Sequence, residues 1–168
     1  MAEDAFTRLM ASVDPALVVV TTAAEDQWAG CLVGFHSQSS IDPQHYCLWL
    51  SKANHTYRVG LRAARFGVHF LSSTDLGLAE RFGTRSGEDV DKFAGLETDA
   101  AHGVPLLPGC PDRMLVERIA LLDDGGDHVC VTTRVLDSWA SGALTPLRVS
   151  AAAHLDPGHE SDERAIRP

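Results

Sequence analysis

Uncharged hydrogen-bonding side chains stand in a row at His36-Ser37-Gln38-Ser39-Ser40, between two apolar runs, residues 31–35 and 46–50. The block is neither a tight hairpin turn nor a charged surface loop. Ser37, Gln38 and Ser39 are neutral donors suited to the polar edge of a planar, heteroatom-rich ring, where a charged side chain would be out of place. Leu32 and Val33 can form an apolar wall behind such a ring. Further on, Ser51-Lys52-Ala53-Asn54-His55-Thr56 stands at the expected start of a helix. There, free N–H groups, the positive end of the helix dipole, Lys52 and the Thr56 hydroxyl make a phosphate site. Ring donors followed by phosphate donors suit a flavin mononucleotide. The plainer accounts are a solvated loop at 37–39 and simple helix capping by Asn54. Arg85 is a further candidate for the phosphate. Alternatively Arg81, Arg85 and Lys92, beside Glu88, Asp89 and Asp91, form a solvated charge network.

The elements that must position these groups are mostly strands. The β-branched run at 17–22 reads as a buried strand, and Glu25-Asp26-Gln27 turns the chain into a second at 28–35. Asp42-Pro43, a turn starter, precedes a strand at 46–51. Asn54 caps a helix expected to run to residue 64, a strand follows at 66–71, and Thr74 caps a second helix through 82. Strands at 114–122 and 128–139 are joined at Asp123-Asp124-Gly125-Gly126, a strong hairpin signal. A last strand is expected at 147–153, before a charged tail, 156–168, expected to be disordered. The pattern predicts a mainly β fold: a closed or partly closed β-barrel with inserted helices, which removes exposed strand edges. Trp28, Trp49 and Trp139 lie in strands and read as core or interface groups.

Composition narrows the function. The 168 residues, 45% of them apolar, suffice for one domain with a substantial core. A net charge of −9 repels nucleic acid over most of the surface, so no nucleic-acid partner is expected. No apolar run is long enough for a membrane-spanning helix and the first residues lack signal-peptide character, which reads as a cytoplasmic protein. The four cysteines, widely spaced and without C-x-x-C, read as reduced thiols. The eight histidines show no paired zinc-ligand spacing, so no metal is expected. Neither a dinucleotide fingerprint, a P-loop nor a nucleophile elbow is present. The remaining enzyme reading is a bound organic cofactor that carries the chemistry itself.

The order of pieces resembles the flavin reductase-like family of the FMN-binding split barrel. The matching pieces begin with Ser37-Gln38-Ser39-Ser40-Ile41-Asp42-Pro43 and Leu50-Ser51-Lys52-Ala53-Asn54-His55-Thr56. Val68-His69-Phe70-Leu71-Ser72, Leu78-Ala79-Glu80-Arg81-Phe82 and Asp91-Lys92-Phe93 follow, then Gly103-Val104-Pro105-Leu106-Leu107 and Gly126-Asp127-His128. The similarity spans roughly residues 10–150. It implies a Greek-key-like split barrel over 1–155, binding FMN (sometimes FAD) as a homodimer. It also implies hydride transfer from NAD(P)H to the flavin, which is then handed to a partner monooxygenase. Carried over by the resemblance are ring contacts at Leu32, Val33, Ser37, Gln38 and Ser39, and phosphate contacts at Lys52, Asn54, His55 and Thr56. His128 is the carried-over nicotinamide contact; no side chain is expected to form a bond to substrate. The departures are the apolar Cys31-Leu32-Val33-Gly34 and a Pro43-Gln44 where the family has two prolines. The alternative is a flavin-, deazaflavin- or haem-binding protein without reductase activity.

Overall fold

A computed structural model describes residues 2–84, 86–87 and 89–155; the expected tail at 156–168 lies outside the described residues. Seven antiparallel strands form one sheet: β1 (Val18–Ala24), β2 (Gln27–Val33), β3 (His36–Ser40), β4 (His45–Ser51), β5 (Arg65–Phe70), β6 (Arg113–Leu122) and β7 (His128–Trp139). Their order is β2-β1-β5-β6-β7-β4-β3. Among the described residues three helices, α1 (Ala5–Val13), α2 (His55–Gly60) and α3 (Leu76–Gly83), and a 3₁₀ turn at Val149–Ala152 decorate it.

The sheet must curl. Its two edge strands, β2 and β3, are joined by Gly34 and Phe35 alone, a span of at most about 11 Å. Laid flat, seven strands would hold those edges roughly 29 Å apart. The core shows the closure. Cys31 and Val33 of β2 pack in one cluster with Leu48 and Leu50 of β4, although β1, β5, β6 and β7 separate the two strands in the sheet. His36 latches the seam: Nε2–H donates to the Ala16 carbonyl at 2.6 Å, and Nδ1 accepts from the Tyr46 hydroxyl at 2.7 Å.

Alternation decides what each face buries. Val18 and Val20 point into the barrel with Phe66, Val68 and Val131. Leu17 and Val19 point to the opposite side, into a second cluster with Phe82, Phe93 and Leu147. β1 is therefore buried on both faces, which is why its sequence is a continuous valine run rather than an alternating one.

Several expectations are corrected. His36–Ser40 is a strand, not an irregular segment: it pairs with β4 alone and exposes Ser37, Gln38 and Ser39, so nothing selects for apolar alternation. The strand expected at 147–153 is only a bridge. Leu147 bonds to the backbone of Leu17 and Leu71, and the chain then winds into the 3₁₀ turn. α2 stops at Gly60 rather than 64, where the chain passes so close to Phe66 that an added Cβ would sit 3.2 Å from its ring. α3 is not capped by Thr74; Asp75 holds that position and turns its carboxylate back to the Ser72 N–H. α1 was not expected, despite Asp4 capping the Thr7 N–H and apolar residues at 6, 9, 10 and 13.

The turns behave as their residues dictate. Glu25 and Asp26 both adopt positive φ, 52° and 61°, between paired Ala24 and Gln27. Two consecutive left-handed residues make the hairpin turn whose twist suits antiparallel strands. Between β6 and β7, Asp123 and Asp124 accept from the N–H groups of Gly125 and Gly126, and Gly125 takes φ 92°.

Candidate functional site

At the β2–β3 join stand the candidate Leu32 and, through Phe35, His128. Gly34 and Phe35 line an apolar groove of about 310 Å³ together with Leu17, Leu32, Gly83 and Val149. The glycines let the lining side chains pack close. An added Cβ at Gly83 would meet Leu32 Cδ2 at 2.8 Å, and one at Gly34 would meet Val149 Cγ2 at 3.4 Å. Phe35 is 58% exposed, and its ring packs at a 54° tilt against that of His128, centroids 4.8 Å apart. Nδ1 of His128 bonds Asp127 at 2.7 Å, and this contact holds the Asp127 carboxyl below its usual range. His128 also faces Ser51 across the β4–β7 ladder.

Leu32 and Val33 do not form one wall. Being consecutive strand residues they point to opposite sides: Leu32 lines the groove, whereas Val33 is buried in the barrel. Ser37, Gln38 and Ser39 are exposed on the β3 edge. The Ser37 hydroxyl donates to the Gln38 carbonyl and the Gln38 amide to the Ser40 carbonyl, while Ser39 lies at the bulge in the ladder.

The expected phosphate group of residues is more dispersed. The Lys52 ammonium pairs with Asp123 at 2.8 Å, and the Lys52 N–H donates to the Asp127 carbonyl, tying β4 to the β6–β7 hairpin. Asn54 caps α2 by accepting from the Thr56 N–H at 2.9 Å. With six residues, α2 carries a weaker dipole than the longer helix expected. The His55 ring contacts the Gln27 amide at 3.1 Å and lies against Gly87. Thr56 is buried, and its side chain lowers the pKa of the Cys31 thiol, against the larger effect of burial. Arg85 lies outside the described residues. Beside this end opens a second cleft of about 500 Å³, lined by Trp28, Gly30, Gly87, Asp89, Lys92 and Phe93, among others.

Lys92 corrects the expectation of a solvated charge network. It is 5% exposed, and its ammonium donates to the carbonyls of Gly30 and Phe82, both at 3.0 Å. Burial lowers its pKa, with the Cys31 thiol opposing; burial in turn raises Cys31, against the Lys92 charge and the Thr56 hydrogen bond. Arg81 also reaches inward, to the carbonyls of Lys92 and Ala94. Phe35 and Lys92 are the residues the sequence reading missed as site candidates. A basic residue between Val90 and Phe93, both apolar, was the available signal for Lys92.

The donor set fits a flavin. An apolar slot lined by Leu17, Leu32 and Val149 suits the faces of a flat ring, and the neutral β3 edge beyond Phe35 suits its polar rim.

The likeness extends to known proteins. The chain is 30% identical over 132 residues to the FMN reductase (NADH) of Agrobacterium fabrum, covering 78% of this chain and 73% of that one. Two solved structures share the fold. The FMN-binding protein of Thermus thermophilus is 26% identical with a TM-score of 0.72, covering 80% of this chain and 79% of that one. The styrene monooxygenase flavin reductase of Pseudomonas putida S12 is 20% identical with a TM-score of 0.72, covering 86% and 90%. The flavin reductase like domain model matches residues 10–150, a span that takes in every strand and all the candidate residues of the groove, and the chain belongs to that family.

Proposed function

We propose that this protein binds FMN, with FAD as the alternative, at the β2–β3 seam and reduces it with NAD(P)H. The observation that carries the reading is the glycine-lined apolar groove, which shares Phe35 with the His128 contact in a chain of this family. When bound, the flavin supplies the two-electron acceptor for hydride from a reduced nicotinamide. The protein contributes position. Leu32 and Val149 present apolar surface to the ring, and β3 presents neutral donors to its edge. The Phe35–His128 pair borders the groove where a second flat ring would stack, with Asp127 fixing the imidazole's orientation. Holding two rings in register in a dry slot is where most of the rate gain would arise.

The further readings are a homodimer, delivery of reduced flavin to a monooxygenase, and cytoplasmic residence. Exposed Phe6, Leu9, Met10 and Val13 on one stripe of α1, with Ile119 and Leu122 on β6, support association. Four free cysteines support a reducing compartment.

Mixing purified protein with FMN and NADH, then with NADPH, and following loss of the reduced-nicotinamide absorbance tests the activity. Turnover with at least one nicotinamide is expected. No turnover with either would remove the reductase reading, while flavin fluorescence quenched by the same protein would leave binding standing.

A further inference from the structure

Lys92 lines the second cleft, and its two bonding partners each stand one or two residues before a residue that lines the apolar groove. Its ammonium accepts no role as a surface charge: both of its assigned bonds run to backbone carbonyls, Gly30 on β2 and Phe82 in the last turn of α3. β2 is an edge strand that pairs only with β1, so the Gly30 bond tethers a sheet edge. The Phe82 bond places a cation at the carboxyl end of α3, where helix carbonyls lack partners. The residues that line the groove come immediately after these anchors. Leu32 lies two positions beyond Gly30, Gly83 one beyond Phe82, and an added Cβ at Gly83 would meet Leu32. Packing around the clamp is close: an added Cβ at Gly30 would come within 2.8 Å of the Phe82 ring, which packs edge-on against Phe93. The ammonium therefore sets the separation of β2 and α3, and with it the groove's shape.

We propose that Lys92 is a positioning residue for the ring site: by clamping Gly30 to Phe82 it fixes Leu32 against Gly83 and so holds the shape of the groove. This rests on the flavin reading above. It makes a demand that a phosphate-binding lysine would not. Losing Lys92 should weaken riboflavin and FMN alike, because both carry the ring and only one carries the phosphate.

The test is fluorescence titration of riboflavin and FMN against wild type, Lys92→Met and Lys92→Arg. Val116→Ala, a buried change on β6, controls for general loss of stability, with circular dichroism to check folding. Replacing the charged donor of two hydrogen bonds by methionine should raise both dissociation constants by about ten-fold or more. Arginine, which keeps the charge but must spread the two carbonyls, should fall between methionine and wild type, and it carries the test if methionine prevents folding. Val116→Ala should lower the unfolding temperature yet leave both constants unchanged. Weakened FMN with unaltered riboflavin would make Lys92 a phosphate contact and overturn the proposal, as would unaltered affinity in Lys92→Met or, should that variant not fold, in Lys92→Arg. Wild-type protein that binds neither flavin would overturn the flavin reading itself, and this one with it.

Discussion

His69 shows how much a single buried side chain can ask of solution conditions. Nδ1–H donates to the Val19 carbonyl at 3.1 Å and Nε2 accepts from the Leu107 N–H at 2.9 Å, so the ring is neutral. Burial lowers its pKa from 6.5 to about 4. The unfolded chain therefore takes up this proton first. The group's stabilisation is fully present above pH 6.5 and is lost as pH falls toward 4, on the order of 3 kcal/mol in all. Urea denaturation of wild type and His69→Gln at about pH 7 and about pH 4.5 checks this. The gap between the two proteins should narrow in acid; a constant gap would mean the ring is not held neutral. Residue identity alone could not reveal such roles. A histidine in an apolar strand and a lysine before a phenylalanine look ordinary until β1 and the 103–107 loop, or β2 and α3, arrive around them. Among the candidate site residues, Leu32 and His128 were legible at the groove and beside it. The partner of Lys52, Asp123, lies far away in sequence.

At the scale of elements, the β1–β2 turn holds two non-glycine residues at positive φ, a conformation that costs an L-residue about 1 kcal/mol. Asp26→Gly should relieve that strain and raise the unfolding temperature by roughly 2–4 °C for a chain of this size. A fall measured by calorimetry would show that the Asp26 side chain contributes more than its backbone costs. The strands with buried faces were legible as apolar or β-branched runs, continuous in β1, which is buried on both sides. β3 was not, since its pairing is carried by backbone hydrogen bonds and its side chains face outward. The 147–153 segment misled for the opposite reason: Leu147 is buried as a strand residue would be, yet it is held by single bridges rather than a ladder.

For the whole molecule, the apolar stripe of α1 is the feature least at ease in a lone chain. None of its nine residues is buried, and a helix of that length is marginal in water without a packing partner. If the homodimer reading holds, light scattering behind size exclusion should give twice the chain's mass, and Leu9→Ser with Val13→Ser should shift the population toward monomer. A monomer at micromolar concentration would sink the dimer. The barrel architecture itself followed from counting strands and their connections, because few arrangements let so many antiparallel strands bury one face around a shared core.

The two-residue join has one more consequence. Gly34 and Phe35 both bind the ends of the sheet together and form the floor on which a guest would rest. Occupancy and closure are thus coupled through the same bonds. On the flavin reading, a molecule settling there would tighten the whole cylinder, and anything that slackens the cylinder would loosen its hold on the molecule.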